Sequence, residues 1–173
     1  MKSSYILPVL VLSSLLLSGC VYTTDTQTTP TVSPSEQQQP TVQDKVNDKD
    51  TILSLDNRGL TSVPSDIFDN TAIEVLDLSH NDLTGSLPAE IRHLSRLKTL
   101  DMSYNSMTGI PAEIGQLTEL ETLNLSHNQF TGLPYELGNL THLRTLDISG
   151  NNYSTEDLAI IEKQLPSSVT IIQ

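Results

Sequence analysis

The stretch Leu120–Phe130, LETLNLSHNQF, decides the fold because close copies of it recur along the chain. A weaker copy, DTILSLDNRGL, begins at Asp50. The copies begin at positions 50, 73, 97, 120 and 143, so successive starts lie 23, 24, 23 and 23 residues apart. A unit that recurs at such a fixed period predicts a solenoid, in which each repeat stacks on its neighbours. The four strong copies are Ile73–Leu83, Leu97–Met107, Leu120–Phe130 and Leu143–Tyr153.

Each copy contains two apolar residues separated by one other residue, as at Leu123 and Leu125. In an extended strand, side chains two positions apart point to the same side, so both enter the core while the residue between them points outward. Stacking the copies therefore predicts a parallel sheet with one apolar face. The pairs are Leu53/Leu55, Leu76/Leu78, Leu100/Met102, Leu123/Leu125 and Leu146/Ile148.

The spacing matches the pattern L-x-x-L-x-L-x-x-N-x-L, and residues 50–173 thus resemble the leucine-rich repeat family. The resemblance implies an α/β solenoid, a short leucine-rich repeat horseshoe of about five 23–24-residue repeats. It also implies that the asparagine of each repeat belongs to a structural ladder, whose amides bond the backbone where the chain turns inward. In the first copy Arg58 takes this place, which puts the geometry of that turn in question. The ladder residues are Asn81, Asn105, Asn128 and Asn151.

The segments between the strands also keep a common pattern. A proline stands nine residues before the start of each following copy, and apolar residues spaced three apart come after it. This spacing predicts a helical turn or two with its apolar edge inward. The prolines are Pro64, Pro88, Pro111 and Pro134.

The pattern changes after the fifth copy, where a C-terminal helix–strand cap is predicted. Ser154 opens a sequence of the [ST]-x-x-[DE] kind, which is typical of a helix start. Val169 and Ile171 lie 23 residues after Leu146 and Ile148 and predict a sixth, final strand in the same register. A cap of this kind closes the open end of a solenoid.

An apolar run stands at the N-terminus. It covers Ile6–Leu17, follows the positively charged Lys2, and is too short to span a hydrocarbon core of ~30 Å. It ends in LSGC at Cys20, and residues 1–19 thereby resemble a bacterial lipoprotein signal peptide. The resemblance implies cleavage before Cys20, lipid on its thiol and acylation of the new amino terminus. An ordinary signal peptide followed by a chance cysteine is the alternative.

In such lipoproteins the residue after the cysteine helps to determine the membrane to which the protein is sorted. An aspartate there usually signals retention at the inner membrane, whereas this chain has Val21. The resemblance therefore implies the bacterial cell envelope, and specifically the outer membrane, with the membrane as a partner through the lipid on Cys20.

The segment that follows is predicted to be a disordered tether. Of the 29 residues at positions 21–49, Thr, Ser, Gln and Pro make up 17, and none is Leu, Ile or Phe. Such a segment buries too little apolar surface to offset the entropy of ordering. The predicted organisation is a signal peptide at 1–19, a lipidated cysteine with a Thr/Gln/Pro-rich tether at 20–49, and a repeat domain at 50–173.

Composition excludes several function classes. The 173 residues include 9 Lys+Arg against 21 Asp+Glu, a formal charge of −12, which disfavours nucleic acid. One cysteine cannot form a disulfide framework or a cysteine-rich metal site. The serines of the repeats lack a G-x-S-x-G context, and Asp77 and Asp101 lack the further oxygen ligands of a calcium loop. We therefore expect no enzyme, no cofactor and no metal.

Candidate binding residues are predicted to lie on the strands, pointing outward, in two columns that the repeat register brings together. In the first column opposite charges alternate, which predicts ion pairs between neighbouring strands and a mainly structural role. The second column is an amphipathic stripe of imidazole and phenol rings, groups that suit the centre of an interface. The first column is Glu74, Lys98, Glu121 and Arg144, and the second contains His80, Tyr104 and His127.

These features predict a membrane-anchored, non-enzymatic binding module. Its concave sheet is expected to recognise a protein partner, or a glycan. The alternative is a passive structural lipoprotein of the envelope that has no specific ligand. A short horseshoe offers roughly 300–400 Å² of concave sheet, which is below a standard footprint of about 800 Å² per partner.

Overall fold

The computed structural model describes residues 51–173. The predicted signal peptide, Cys20 and the tether at 20–49 lie outside the described residues. Short strands alternate with 3₁₀ turns along the described part, and an α-helix, α1 (Thr155–Glu162), precedes the last strand. The strands are β1 (Ile52–Ser54), β2 (Val75–Asp77), β3 (Thr84–Ser86), β4 (Thr99–Asp101), β5 (Ser106–Gly109), β6 (Thr122–Asn124), β7 (Thr145–Asp147) and β8 (Thr170–Ile172).

Six of these strands form one parallel sheet in the order β1-β2-β4-β6-β7-β8. Within this sheet, the middle residue of β1, β2, β4, β6 and β7 is a leucine, and these leucines are cross-strand partners. Their side chains are buried; Leu76, Leu100, Leu123 and Leu146 are fully inaccessible to solvent. The predicted solenoid and its parallel sheet are confirmed. The opposite face of the sheet, termed the outer face below, is not covered by another element of the described part.

The return segments are 3₁₀ turns that begin directly after the predicted prolines. Proline suits the position before a helical turn, since its φ is preset and its missing N–H is not needed there. Each turn buries one or two apolar side chains against the core, as Ile114 shows. The four turns are Ser65–Asp69, Ala89–His93, Ala112–Gln116 and Tyr135–Asn139.

The cap consists of α1 and β8. The Oγ of Ser154 accepts a hydrogen bond from the backbone N–H of Asp157 at 3.2 Å, as expected for the predicted helix start. The register predicted for β8 is wrong by two residues, because Leu146 pairs with Ile171 and not with Val169. An α-helix advances about 1.5 Å per residue and a 3₁₀ helix about 2.0 Å, so the α-helical connection needs more residues to cover a similar span. No helix within residues 51–173 has the length and apolarity needed to cross a membrane.

A second, two-stranded parallel sheet joins β3 to β5 and was not predicted. Its register shifts between Gly85 and Ser86, where Gly85 adopts a φ of +73°. Gly85 and Ser86 pair with Met107 and Gly109, so Thr108 of β5 is the bulged residue of this sheet, whereas the register of the main sheet is regular.

The repeat asparagines form a hydrogen-bonded ladder. The Oδ1 of Asn128 accepts from the backbone N–H of Met107 in the preceding repeat at 3.0 Å. Its Nδ2 lies within hydrogen-bond distance of three carbonyl oxygens, of which Met102 O is the nearest at 2.8 Å. Asn81 makes the equivalent contacts between the second repeat and the first. Its Oδ1 accepts from the N–H of Arg58, so the turn of the first repeat is held by the second repeat. The full set is Asn81, Asn105, Asn128 and Asn151.

Candidate binding surface

Two rows of side chains run across the outer face. The first is the threonine row, in which cross-strand partners on β4, β6, β7 and β8 are Thr99, Thr122, Thr145 and Thr170. The row continues through Val75 of β2 to Ile52 of β1. The sequence analysis considered the residue two positions before the first core leucine and the residue between the two leucines, but not the residue directly before the first leucine. The residue before the first of them also points outward, so the L-x-x-L-x-L spacing contained the signal.

The second row, termed the carboxylate row, contains Asp77, Asp101, Asn124 and Asp147. In each repeat one side-chain oxygen caps the following turn, as when Asp77 Oδ1 accepts from Ser79 N–H at 2.9 Å. The other oxygen of Asp101 accepts from Asn124 Nδ2 at 2.9 Å. Among residues 51–173, no lysine or arginine forms an ion pair with this row and no cluster of potential ligands suits a metal ion. The row thus leaves negative charge on the outer face.

His80, Tyr104 and His127 form a column of parallel rings, termed the ring stack. The ring centroids of His80 and Tyr104 are 4.5 Å apart with an interplanar angle of 9°, and those of Tyr104 and His127 are 4.3 Å apart at 18°. The sequence reasoning placed these residues on the strands. They lie instead in the turns, three residues beyond the last residue of β2, β4 and β6. Tyr104 is 49% exposed, so the middle of the stack faces solvent.

The ring stack depends on an unusual backbone conformation. His80, Tyr104 and His127 have φ values of 53°, 55° and 53°, in the left-handed region that non-glycine residues rarely adopt. Hydrogen bonds hold each turn to the next; for example, Tyr104 N–H donates to Ser126 O at 3.0 Å. Because every turn repeats the same conformation one strand further on, the rings superpose at strand spacing.

Gly150 closes one end of the ring stack. A Cβ at this position would lie 2.7 Å from Nδ1 of His127, so the imidazole packs over the glycine backbone. The two faces of the Tyr104 ring are covered by its neighbours in the stack, and one face of His127 is covered by Gly150. The stack therefore presents mainly ring edges, with the phenol hydroxyl and imidazole nitrogens, to a partner.

The first predicted column lies at the residue that precedes each strand. Lys98 Nζ is 2.8 Å from Glu74 Oε2, and Arg144 Nε is 3.3 Å from Glu121 Oε2. The hydrogen bond from Lys98, followed by its charge, lowers the pKa of Glu74, and the same contact raises the pKa of Lys98. Since each cation of this column is paired with a glutamate of the same column, the column compensates its own charge, and the threonine row lies between it and the carboxylate row.

The comparisons with known proteins agree with this architecture. The family described as "Leucine-rich repeat region" matches residues 52–171. The chain is a leucine-rich repeat solenoid, the class of scaffold that the fold and its uncovered sheet face define. It belongs to the leucine-rich repeat family. Among curated proteins, none matches it significantly.

Solved structures of leucine-rich repeat proteins are similar to this chain. A leucine-rich repeat protein of Leptospira interrogans is 36% identical with a TM-score of 0.66, covering 71% of this chain and 31% of its own. The BIR3–SERK2 complex of Arabidopsis thaliana gives 34% identity and a TM-score of 0.57, over 69% of this chain and 65% of that one.

A longer plant receptor is also similar. The ectodomain of GASSHO1/SCHENGEN3 of Arabidopsis thaliana, solved in complex with CASPARIAN STRIP INTEGRITY FACTOR 2, is 33% identical with a TM-score of 0.54. The match covers 64% of this chain and 13% of the receptor. This chain spans less than two thirds of the length of each of the three structures.

Proposed function

We propose that this chain is a non-enzymatic binding module whose outer sheet face recognises a protein partner. The ring stack carries the proposal, because it places an exposed tyrosine and two imidazoles beside an uncompensated carboxylate row. Aromatic groups bury contact area while keeping their hydrogen-bonding ends, which suits the centre of a protein interface. Two of the similar plant structures are complexes, which supports a protein partner.

A protein partner fits this face better than a glycan does. Sugars bind aromatic side chains through a ring face, and both faces of Tyr104 are covered within the stack. The exposed ring edges and carboxylates instead offer hydrogen bonds and negative charge, which complement the amide groups and cationic side chains of a polypeptide. The small area of the face implies that the borders of the sheet, or several anchored copies together, contribute to affinity.

Anchoring to the membrane is part of the proposal. The LSGC sequence that ends at Cys20 supports a lipid anchor in the bacterial cell envelope, and Val21 supports the outer membrane. Two or more acyl chains give stable attachment where one does not. Replacing Cys20→Ser is expected to move the protein from the membrane to the soluble fraction, whereas Ser33→Ala in the tether leaves it in the membrane. Co-sedimentation of the Cys20→Ser protein with membranes would contradict the anchor.

The binding proposal is tested by photo-crosslinking in intact cells. A photoreactive phenylalanine at Tyr104 preserves an aromatic ring in the stack, and the same probe at Gln116 on a return turn is the control. We expect a discrete adduct with one protein from position 104 and none from position 116. If adducts are absent from position 104, or equal at both positions, the passive structural role in the envelope is the better description.

A further inference from the structure

A groove with a volume of about 640 Å³ lies beyond the glycine end of the ring stack. Its exposed lining comes from three successive repeats: Thr108 of β5, Gln129 and Thr131 of the next repeat, and Asn152 of the one after. Gly150, which packs against His127, belongs to the same lining. The volume falls within the roughly 300–1,000 Å³ that small-molecule sites occupy.

The repeat geometry brings these side chains together. The backbone N–H of Gln129 donates to Met107 O at 2.8 Å, and that of Asn152 donates to Phe130 O at 3.1 Å. Gln129 and Asn152 therefore hold equivalent positions one repeat apart, directly after two ladder asparagines. The two-stranded sheet ends at β5, and the groove begins beside Thr108 in that strand. The site is thus a product of the stacking and not of one flexible loop.

The lining is uncharged throughout, although the whole chain carries a formal charge of −12. The side chains of Gln129, Thr131 and Asn152 make no hydrogen bond with other residues of the described part. Thr108 Oγ1 donates weakly to Gly85 O at 3.3 Å and keeps its lone pairs. Amides and hydroxyls both donate and accept hydrogen bonds, so the groove offers both kinds of group in a small space.

We propose that this groove binds a neutral saccharide, independently of the protein-binding proposal for the outer face. A saccharide hydroxyl also donates and accepts, so it can bond amide and hydroxyl groups without a fixed polarity. The lining contains no cationic side chain to pair with an anionic ligand and no carboxylate to pair with a cationic one, so burying a charged ligand there is unfavourable. The lining also contains no apolar side chain to bury those of a peptide, which makes a peptide the weaker candidate.

The test uses the full-length chain in detergent on an array of neutral hexasaccharides, with cellulose, laminarin, mannan and chitin linkages, and sialylated glycans. We expect binding to at least one neutral hexasaccharide and none to the sialylated set. Gln129→Glu and Asn152→Asp keep the shape of the side chain and replace its amide donors with a charge. Each is expected to weaken binding about tenfold, which corresponds to ~1.4 kcal/mol. Gln116→Glu introduces the same change outside the groove and serves as the matched control.

Three results would overturn the saccharide site. They are the absence of binding to all neutral hexasaccharides, an affinity that Gln129→Glu and Asn152→Asp leave unchanged, and an equal loss caused by Gln116→Glu. Unchanged thermal unfolding of all three variants is required for the comparison, and the exposure of these side chains favours it. Capture of an uncharged control peptide in place of a saccharide would assign the groove to a polypeptide instead.

Discussion

The asparagine ladder makes a specific prediction about energetic coupling between repeats. Met102 O accepts hydrogen bonds from two successive asparagines, from Asn105 Nδ2 at 3.1 Å and from Asn128 Nδ2 at 2.8 Å. Asn128→Ala therefore leaves this oxygen with one partner, and it removes the side-chain oxygen that accepts from the Met107 N–H, for which the residues at 51–173 show no other acceptor. A buried donor without a partner costs about 1–3 kcal/mol, so we expect a loss of about 2 kcal/mol in the free energy of unfolding.

The double variant Asn105→Ala/Asn128→Ala removes both donors from Met102 O. Its loss should exceed the sum of the single losses by about 1 kcal/mol, since a further buried group is left unsatisfied. Asn81 and Asn128 share no acceptor, so the pair Asn81→Ala/Asn128→Ala is the control. Its losses should add within about 0.5 kcal/mol.

The measurement is urea unfolding of the full-length chain followed by far-ultraviolet circular dichroism. Tyrosine fluorescence gives a second probe, because coincident transitions are needed before a single free energy has meaning in a repeat protein. Equal additivity in both pairs would refute the shared acceptor as the source of coupling. Coupling of the same size in the control pair would show that repeats communicate through the whole stack rather than through one oxygen.

Two further predictions concern packing and charge. Gly115→Ala would place a Cβ 2.4 Å from the carbonyl oxygen of Glu136, so we expect a loss of about 1–3 kcal/mol in thermal or urea unfolding. At Gly132 the nearest atom to an added Cβ is 3.7 Å away, and equal losses at both glycines would contradict the steric reason. Lys98→Gln should raise the pKa of Glu74 toward its ordinary value, as measured by a carboxyl NMR titration. Because the pair lowers that pKa, its stabilisation is present at neutral pH and is lost as the pH falls through the folded-state pKa; an unshifted titration would show that Lys98 does not control it.

The main sheet could be predicted because stacking imposes the same packing condition on every repeat, namely that its core leucines lie between those of the adjacent repeats. Leu123 and its counterparts meet identical neighbours above and below, so their spacing in the sequence is the spacing of the structure. The cap does not meet that condition. Ile171 took the place predicted for Val169 because α1 is a different kind of connection from the 3₁₀ turns before it.

The left-handed turns of the ring stack were harder to predict. A tyrosine such as Tyr104 rarely adopts a positive φ, and histidine, although enriched there, is too weak a signal in a single copy. The equivalent residues in the first and last repeats are Asn57 and Gly150, the two residue types that adopt this conformation most readily. Comparison of this position across all the repeats therefore contained the signal, because asparagine and glycine there indicate a turn and not a strand.

The asparagine ladder also relates the completion of each turn to the order in which the repeats are synthesised. Each turn is completed by the amide of the repeat that follows it in the chain, since Asn81 accepts from Leu60 N–H and Asn151 accepts from Phe130 N–H. A ribosome synthesises the repeats in that same order. Each newly synthesised turn therefore lacks these hydrogen bonds until about 21 more residues have left the ribosome. A chain interrupted during synthesis would keep its earlier turns closed and leave only its last one unfinished.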